Sequence, residues 1–465
     1  MRRPRTASTR RAAILITAAA SCGLLLAGCA VGTGAANQDA DYDAKADLGG
    51  DLSVMGFSGV DEVATSRVEV AKAELGDVDV KLIEGELDLQ QFLASVASGK
   101  PPSLLYADRD QIGSLAARKA IIPLDECIDG EGIDMDEFRD YAVDQVTLDG
   151  KVYGIPEFNQ VQVTMANADL LAAAGVTIDQ VNGSDREAMT DANRKLAKVD
   201  GGNVSVIGVD SKLPEFLPLW VAGAGGSLLS DDGKTAQLDS QEAVDALTWA
   251  AGIYEDQGGF SAVKAFRDSA DFFGEGNQFA TNTLGAMPME QWYINVLNDV
   301  SPDAPMAFDT VRGTDGQPIA FATGSAWAIP SGSDNPEAAC RWARAMTSMD
   351  AWSAAAEARL AAREEEGKPF TGILTGNEVA DEEIRGMVTS GGEPWDSAVA
   401  AMYDANDNAV SQPANPADAE FKDAMQEAVN SVLNGQATPE DALAKAQKTA
   451  QQALDDGWAE IEDAK

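Results

Sequence analysis

The sequence predicts an α/β protein of two lobes in which helices cover β-sheets, and two observations support this fold class. Short runs rich in apolar and β-branched residues alternate with stretches of helical periodicity, which is typical of sheets flanked by helices. The roughly 415 residues that follow residue 50 also exceed what one hydrophobic core usually supports.

The predicted strands are short and are separated by helical or turn signals. They cover residues 52–57, 78–83, 104–107, 152–155, 161–166, 204–209 and 319–329.

Three helices are predicted from the chemistry of their first turns, where an N-cap side chain or an N-terminal proline is followed by an acidic residue. Apolar residues then recur at helical spacing after the first and the third of these starts. The three starts are Asp239 with Glu242, Asn335-Pro336-Glu337, and Thr438-Pro439-Glu440.

The N-terminus has the charge and apolar pattern of an export signal. Five arginines within residues 2–11 precede an apolar stretch, residues 12–26, that is too short to span a membrane comfortably. The stretch ends in Leu26-Ala27-Gly28-Cys29, which resembles the lipobox of bacterial lipoproteins. That resemblance implies lipidation of Cys29 and anchoring on the extracytoplasmic face of the cell membrane. An ordinary cleaved secretory signal and a twin-arginine signal remain alternatives.

Residues 30–50 contain mostly Gly, Ala, Asp and Asn, which predicts a flexible tether.

The charge is strongly acidic. Removal of the signal's five arginines from 34 basic residues leaves 29 against 76 acidic ones, a net charge of −47. Such a surface repels nucleic acid and anionic lipid and resists self-association, so we expect a monomer that binds no nucleic acid. The alternative that the acidity is itself a binding device stays open.

The residue inventory excludes several kinds of catalytic and metal site. Histidine is absent, so the chain cannot form a Ser-His-Asp triad, a Cys-His dyad or a His-Cys zinc site, and no D-x-D-x-D-G calcium loop occurs. We therefore expect no metal and no cofactor. Cys127 and Cys340 are the cysteines outside the signal, and they are either disulfide-bonded or buried as free thiols.

Several stretches, taken in order, resemble the extracellular solute-binding proteins of family 1, the maltose-binding type. Each stretch alone is weakly specific, but their shared order spans nearly the whole chain after the lipobox. They are Leu148-Asp149-Gly150-Lys151-Val152-Tyr153-Gly154-Ile155-Pro156, Asn167 to Gly175, Gly225 to Leu247, Gly324 to Pro330 with Asn335 to Ala339, and Thr438 to Leu443. Residues 177–198 lack the P-x-T-W-x-E-L phrase that is common in the family.

The resemblance implies a type II periplasmic-binding-protein-like fold, with two lobes joined by crossing hinge segments. The N-terminal lobe would be residues 51–158 plus 323–362, and the C-terminal lobe residues 159–322 plus 363–465. The crossing strands would lie around residues 153–156 and 322–326. Cys127 and Cys340 would then share a lobe, which favours a disulfide between them.

The ligand site is expected in the loops that follow the strands, as in other doubly wound sheets. Sugars require carboxylates and amides for their hydroxyls and flat rings for their C–H faces. The family's acid-arginine pair and its cleft tryptophan correspond to Asp108, Arg109 and Trp292. The candidate ligand contacts are Phe57, Asp108, Arg109, Glu157, Phe158, Asn159, Glu290, Gln291, Trp292, Trp327 and Trp395.

The predicted function is that of a sugar-binding lipoprotein of an ABC importer, which closes on a carbohydrate and delivers it to membrane permease subunits without catalysing a reaction. One alternative is a receptor of the same fold for a non-sugar solute or for a sensor kinase. Another is an extracytoplasmic glycoside hydrolase with Asp108 and Glu157 as acid and base.

Overall fold

A computed structural model describes residues 42–463 and residue 465. Within this part of the chain the strands have the following bounds: β1 (Asp51–Met55), β2 (Asp79–Ile83), β3 (Leu104–Asp108), β4 (Thr147–Leu148), β5 (Lys151–Val152), β6 (Ile155–Gln160), β7 (Gln162–Asn167), β8 (Lys198–Asp200), β9 (Asn203–Val209), β10 (Leu284–Glu290), β11 (Met306–Thr310), β12 (Ala320–Phe321), β13 (Thr323–Ala328) and β14 (Ala409–Val410).

The α-helices alternate with these strands, as the sequence predicts. They are α1 (Glu62–Leu75), α2 (Leu89–Ala97), α3 (Arg109–Ala117), α4 (Asp125–Glu131), α5 (Asp140–Asp144), α6 (Ala168–Ala174), α7 (Arg186–Leu196), α8 (Leu217–Ala222), α9 (Gln241–Glu255), α10 (Phe260–Asp268), α11 (Tyr293–Val300), α12 (Pro336–Thr347), α13 (Met349–Glu366), α14 (Glu378–Met387), α15 (Trp395–Asp407), α16 (Asp418–Leu433) and α17 (Pro439–Asp463).

The three predicted helix starts are confirmed to within one or two residues. The cap of α9 is Ser240, whose side chain accepts a hydrogen bond from the Ala243 amide, instead of the predicted Asp239. Helix α12 begins at Pro336, directly after Asn335. Helix α17 begins at Pro439, and Thr438 Oγ1 accepts a hydrogen bond from the Asp441 amide at 3.2 Å.

Two five-stranded sheets form the centres of the two lobes. The first has the strand order β2-β1-β3-β13-β6, and the second has the order β11-β7-β10-β9-β8. In the first sheet β1 is parallel to β2 and β3, whereas β13 is antiparallel to β3 and β6. In the second sheet β10 is parallel to β9 and antiparallel to β7. Helices pack over both sheets, which confirms the predicted two-lobed α/β fold.

The first crossing between the lobes lies at a different place from the one expected, whereas the second lies within the expected residues 322–326. Strand β6 pairs with β13 as far as Gln160, and β7 then starts the second-lobe pairing at Gln162, so the crossing is at Val161. The expected crossing at residues 153–156 is wrong, because Ile155 and Pro156 already pair within the first sheet. A second crossing separates β12 from β13 at a single residue, Ala322.

The helices after β13 extend the first lobe further along the chain than the resemblance implied. Phe370 and Ile384 lie in one apolar cluster with Val63 of α1 and Trp352 of α13. We therefore propose lobe bounds of residues 51–160 plus 323–387 for the first lobe.

The last nine residues of the predicted tether contact the first lobe. The Tyr42 hydroxyl donates to Glu131 Oε1 at 2.6 Å, and Asn335 Nδ2 donates to the Gly49 carbonyl at 2.9 Å. The flexible-tether prediction is wrong for residues 42–50. Residues 30–41, with Cys29 and the signal, lie outside the described part of the chain.

Cys127 of α4 and Cys340 of α12 form a disulfide in the first lobe, with their Cα atoms 5.9 Å apart. Both side chains are buried in the core of that lobe.

Within residues 42–463, no helix is long and apolar enough to cross a bilayer.

Candidate functional site

A cavity of about 250 Å³ lies where the two lobes face each other. We call it the interlobe cavity. The first lobe contributes Arg109, Asp110 and Gln145. The crossing strands, which are β6, β7, β12 and β13 on either side of Val161 and Ala322, contribute Gln162, Phe321 and Thr323. The second lobe contributes the remaining residues. These include Glu215, Phe216, Pro218, Leu219, Glu290, Gln412, Asn415, Asp418, Phe421, Lys422, Met425 and Gln426.

Polar and apolar groups alternate on the second-lobe wall of this cavity. Glu215 and Phe216 follow strand β9 in a loop, and Glu290 is the last residue of β10. Both positions lie beyond the carboxyl ends of strands, which is where ligands bind in open α/β sheets. Burial raises the pKa of Glu290 above its usual range, although its hydrogen bond with the Trp292 ring opposes this.

Arg109 lines the interlobe cavity, but its guanidinium hydrogen-bonds the crossing strands. Nη2 donates to Asn159 Oδ1 at 2.8 Å and to the Thr323 carbonyl at 2.6 Å, and Nε donates to Gln145 Oε1 at 2.9 Å. Burial lowers the pKa of Arg109 to about 10, so the side chain stays charged at neutral pH. Arg109 therefore holds the two crossings together beside the cavity.

Asn159 and Gln291, both predicted as ligand contacts, are buried hinge residues. Gln291 Oε1 accepts from the Val161 amide at 2.9 Å, and its Nε2 donates to the Asn159 carbonyl at 3.0 Å. Asn159 Nδ2 donates to the Tyr141 hydroxyl at 2.8 Å and to Asn406 Oδ1 at 3.2 Å. These bonds use the polar atoms that the prediction assigned to a ligand. Asn159 also lies within β6, not in the expected loop.

Glu157 is likewise in strand β6 and has no solvent-exposed surface. Its carboxylate is ion-paired with Arg67, which is equally buried. The Arg67 guanidinium lies 4.2 Å from the Trp352 ring centroid and 4.7 Å from that of Phe158. The carboxylate is thus held in an ion pair inside the first lobe, although its Oε2 has no hydrogen-bond partner in the described structure. Contact of Glu157 with a ligand, and its alternative role in a hydrolase, stay predictions.

Two predicted tryptophans belong to the lobe cores. Trp327 is fully buried between the rings of Tyr106, at 4.7 Å, and Phe57, at 5.2 Å. Trp395 is 6% exposed and packs 5.8 Å from the ring of Phe308. Neither ring presents a face to solvent, so their assignment as ligand contacts is corrected to core packing.

A second, more open recess of about 430 Å³ lies on the first lobe, beyond the ends of β1 and β2. Phe57 and Phe158, two of the predicted contacts, line this first-lobe recess together with Tyr106 and Glu86. Asp108 is exposed at the end of β3 and lines neither this recess nor the interlobe cavity.

Trp292 lies at the edge of the second lobe and is partly exposed. Its Nε1 donates to Glu290 Oε2 at 2.7 Å, so the ring is fixed beside a residue that lines the interlobe cavity. The Phe273 ring stacks on it with centroids 6.1 Å apart and an interplanar angle of 15°. Phe273 is 65% exposed and was not among the predicted contacts. Its signal in the sequence is an aromatic pair, Phe272-Phe273, in a polar, Gly-containing loop.

Comparison with known proteins identifies the family. A family model described as bacterial extracellular solute-binding protein matches residues 68–363. The maltodextrin-binding protein MdxE of Bacillus subtilis is 26% identical over 206 residues, which are 42% of this chain and 46% of that protein. The match thus spans less than half of that relative's length.

Solved structures share the fold over almost their whole length. CpMnBP1 bound to mannobiose has a TM-score of 0.67 at 21% identity, covering 86% of this chain and 99% of that one. A Listeria monocytogenes ABC substrate-binding protein in complex with cycloalternan has a TM-score of 0.67 at 19% identity, with 87% and 99% covered. At these identities the likeness concerns the fold. With the family match over most of the chain, it establishes that this protein belongs to the bacterial extracellular solute-binding proteins and has their two-lobed, type II architecture.

Proposed function

We propose that the protein is the sugar-capturing receptor of a bacterial ABC importer, held on the outer face of the cell membrane by a lipid on Cys29. The observation that carries the proposal is the interlobe cavity, because its wall is built from both lobes and from the crossing strands. A solute bound there contacts both lobes at once and therefore favours the closed form.

The chemistry of the cavity suits a carbohydrate. Glu215, Glu290 and Gln426 provide acceptors and donors for hydroxyl groups, and Phe216 and Phe421, which extend from the second-lobe core, add apolar surface to the wall. Gln412 Nε2 is buried without a hydrogen-bond partner in the described structure, so it is available to a ligand oxygen.

The relatives support the same solute class. The similar proteins include a maltodextrin-binding protein and proteins solved with mannobiose or cycloalternan bound. The family is a family of binding proteins, which supports capture and delivery to permease subunits as the role of this chain.

The test is a thermal-shift screen with mannobiose, maltotriose, cycloalternan and monosaccharides, alongside polyamines and peptides. A ligand at a hundredfold excess over its Kd adds about 2.7 kcal/mol to the free energy of unfolding, so a tight sugar raises Tm measurably. A shift with a polyamine or peptide alone contradicts the sugar assignment. Release of shortened sugars during incubation contradicts the role of a non-catalytic receptor.

The cavity is tested separately with Glu290→Gln, which keeps the side-chain size but removes the charge. We expect the affinity for the sugar found in the screen to fall by about tenfold, because a hydrogen bond to a charged group contributes on the order of 1.5–3 kcal/mol. The matched control is Glu255→Gln on the exposed side of α9, which leaves the affinity unchanged. Equal affinities of the two variants in calorimetry would place the sugar elsewhere.

The lipid anchor is tested by mass spectrometry of the mature N-terminus from cells. We expect a diacylglycerol-modified Cys29 as the first residue, and release of the protein from membranes in a Cys29→Ser variant. An unmodified N-terminus on a released protein contradicts the anchor but leaves sugar capture intact.

A further inference from the structure

Helix α3 of the first lobe contacts helix α16 of the second lobe at the rim of the interlobe cavity. Lys422 Nζ and Asp110 Oδ2 are 2.6 Å apart, and Arg118 Nη2 and Glu420 Oε1 are also 2.6 Å apart. Ile112 of α3 packs in a first-lobe core, while Phe421 of α16 packs in the second-lobe core. The two helices therefore belong to different lobes, and their contact is a contact between lobes.

The closest point of this contact is Gly113, which is buried in α3. A Cβ atom at this position would overlap the Asn415 carbonyl oxygen and Asp418 Oδ2, and it would lie 2.6 Å from the Asn415 amide nitrogen. All three neighbours belong to the start of α16 or to the loop before it. The approach of the helices thus requires the absence of a side chain at Gly113.

Backbone and side-chain polar groups hold the start of α16 in place. The Ala419 amide donates to Ser114 Oγ at 3.1 Å, which satisfies one of the free amides at the start of α16. Asp418 is buried against α3 and accepts a hydrogen bond from the Asn415 amide at 3.1 Å. Trp458 and Ile461 of α17 pack on the same first-lobe core and extend the contact.

The same residues form the contact and the wall of the cavity. Asp110, Asp418 and Lys422 line the interlobe cavity and also take part in the contact between α3 and α16. Separation of these helices would therefore open the cavity on this side. We propose that the docking of α16 on α3 is the latch that holds the lobes closed, and that Gly113 is the residue that permits it. Only its role in solute capture rests on the proposed function.

The test is the shape of the ligand-free protein with Gly113→Ala, measured by small-angle scattering. Alanine is a better helix former than glycine, so α3 itself tolerates the change, but the methyl group meets the backbone of Asn415. We expect a larger radius of gyration than in the wild type and faster amide hydrogen exchange in residues 109–118 and 412–422. The matched control is Gly252→Ala in α9, where a Cβ meets no atom within 4 Å, and it leaves both measurements unchanged.

A second variant keeps the proposal testable if Gly113→Ala does not fold. Lys422→Glu places a negative charge at a half-exposed position of α16, opposite the carboxylate of Asp110 in α3. We expect the same increase in the radius of gyration. Its control is Lys445→Glu, which breaks the exposed pair with Glu427 inside the second lobe. Wild-type dimensions and wild-type exchange in the folded Gly113→Ala or Lys422→Glu variant would overturn the latch.

The outcomes for the latch and for the proposed function are separable, because the scattering experiment needs no ligand. If the variants expand but the wild type binds no sugar, the latch stands and the proposed function fails. If the wild type binds maltotriose, and Gly113→Ala binds it equally well with unchanged dimensions, the proposed function stands and the latch fails. The latch predicts about tenfold weaker maltotriose binding by Gly113→Ala if the wild type binds it.

Discussion

At the scale of single residues, the polar side chains beside the crossing strands serve the hinge more than the ligand. Two of the predicted ligand contacts, Arg109 and Glu290, line the interlobe cavity. The sequence could not show which polar groups were already paired, because the partners of Arg109 and Glu157 come from distant segments such as Thr323 and Arg67. Residue type alone does not distinguish a buried ion pair from a ligand contact.

The buried pair of Glu157 with Arg67 leads to a stability prediction. Glu157→Gln leaves the Arg67 charge buried without its counter-ion, which we expect to cost about 3–5 kcal/mol of unfolding free energy. Urea unfolding measures this loss. Asp51→Asn, which removes one of the two acidic partners of the exposed Lys81, serves as the control and is expected to leave the urea midpoint unchanged. A midpoint for Glu157→Gln equal to that of the wild type would refute the structural role of the pair.

Asp381 leads to a prediction of pH dependence. Burial raises the pKa of Asp381 to about 6, despite the opposing charge of Arg139 and the hydrogen bond from the Thr375 amide. The pKa of Asp381 in the folded protein is thus above the value of about 3.9 in the unfolded chain. Its contribution to the free energy of unfolding is therefore fully present below about pH 3.9 and is lost as the pH rises to about 6. The loss is about 3 kcal/mol.

Asp381→Asn removes this titration. We expect the free energy of unfolding of the wild type, relative to that of the variant, to fall between pH 4 and pH 6 and then to level off. Urea titrations at several pH values measure the difference. Parallel stability curves of the two proteins over this range would contradict the prediction.

At the scale of elements, strands of both sheets were predicted with accurate bounds. Strands β1, β3, β7 and β9 lie within two residues of the predicted runs. Strand β6 was missed beyond Ile155, because Glu157, Asn159 and Gln160 give it the composition of a loop. Several of their polar groups have tertiary partners, among them Arg67, Arg109 and Gln291. Tertiary pairing, which no local pattern encodes, thus moved the crossing from residues 153–156 to Val161.

The crossing itself is tested with Gln291→Leu, which removes the two hydrogen bonds from the side chain to Val161 and Asn159. Both backbone groups would then be buried without partners, and each unsatisfied group costs about 1–3 kcal/mol. We expect an equivalent drop in the free energy of unfolding in urea. Gln452→Leu on the exposed side of α17 is the control. A loss no larger than that of the control would show that Gln291 does not support the crossing.

At the scale of the whole molecule, the chain passes between the two sheets at the single-residue crossings Val161 and Ala322, and the interlobe cavity lies between the lobes. Hinge closure of this kind couples a solute to the relative position of the lobes, because only the closed form offers contacts from both. The family resemblance predicted this architecture, whereas composition and periodicity predicted only two lobes of α/β type. Cavity side chains such as Phe421 and Gln426, to which the proposed function assigns the choice of solute, were distinguished by no motif.

The central claim is that a carbohydrate binds in the interlobe cavity between the two lobes. The most direct measurement is a crystal structure of the wild-type protein with the sugar that gives the largest thermal shift. The account predicts sugar density in the cavity, in contact with Glu290 and Phe421 of the second lobe and with first-lobe residues at the same time. Density outside the cavity, or against one lobe only with the other displaced, would contradict it.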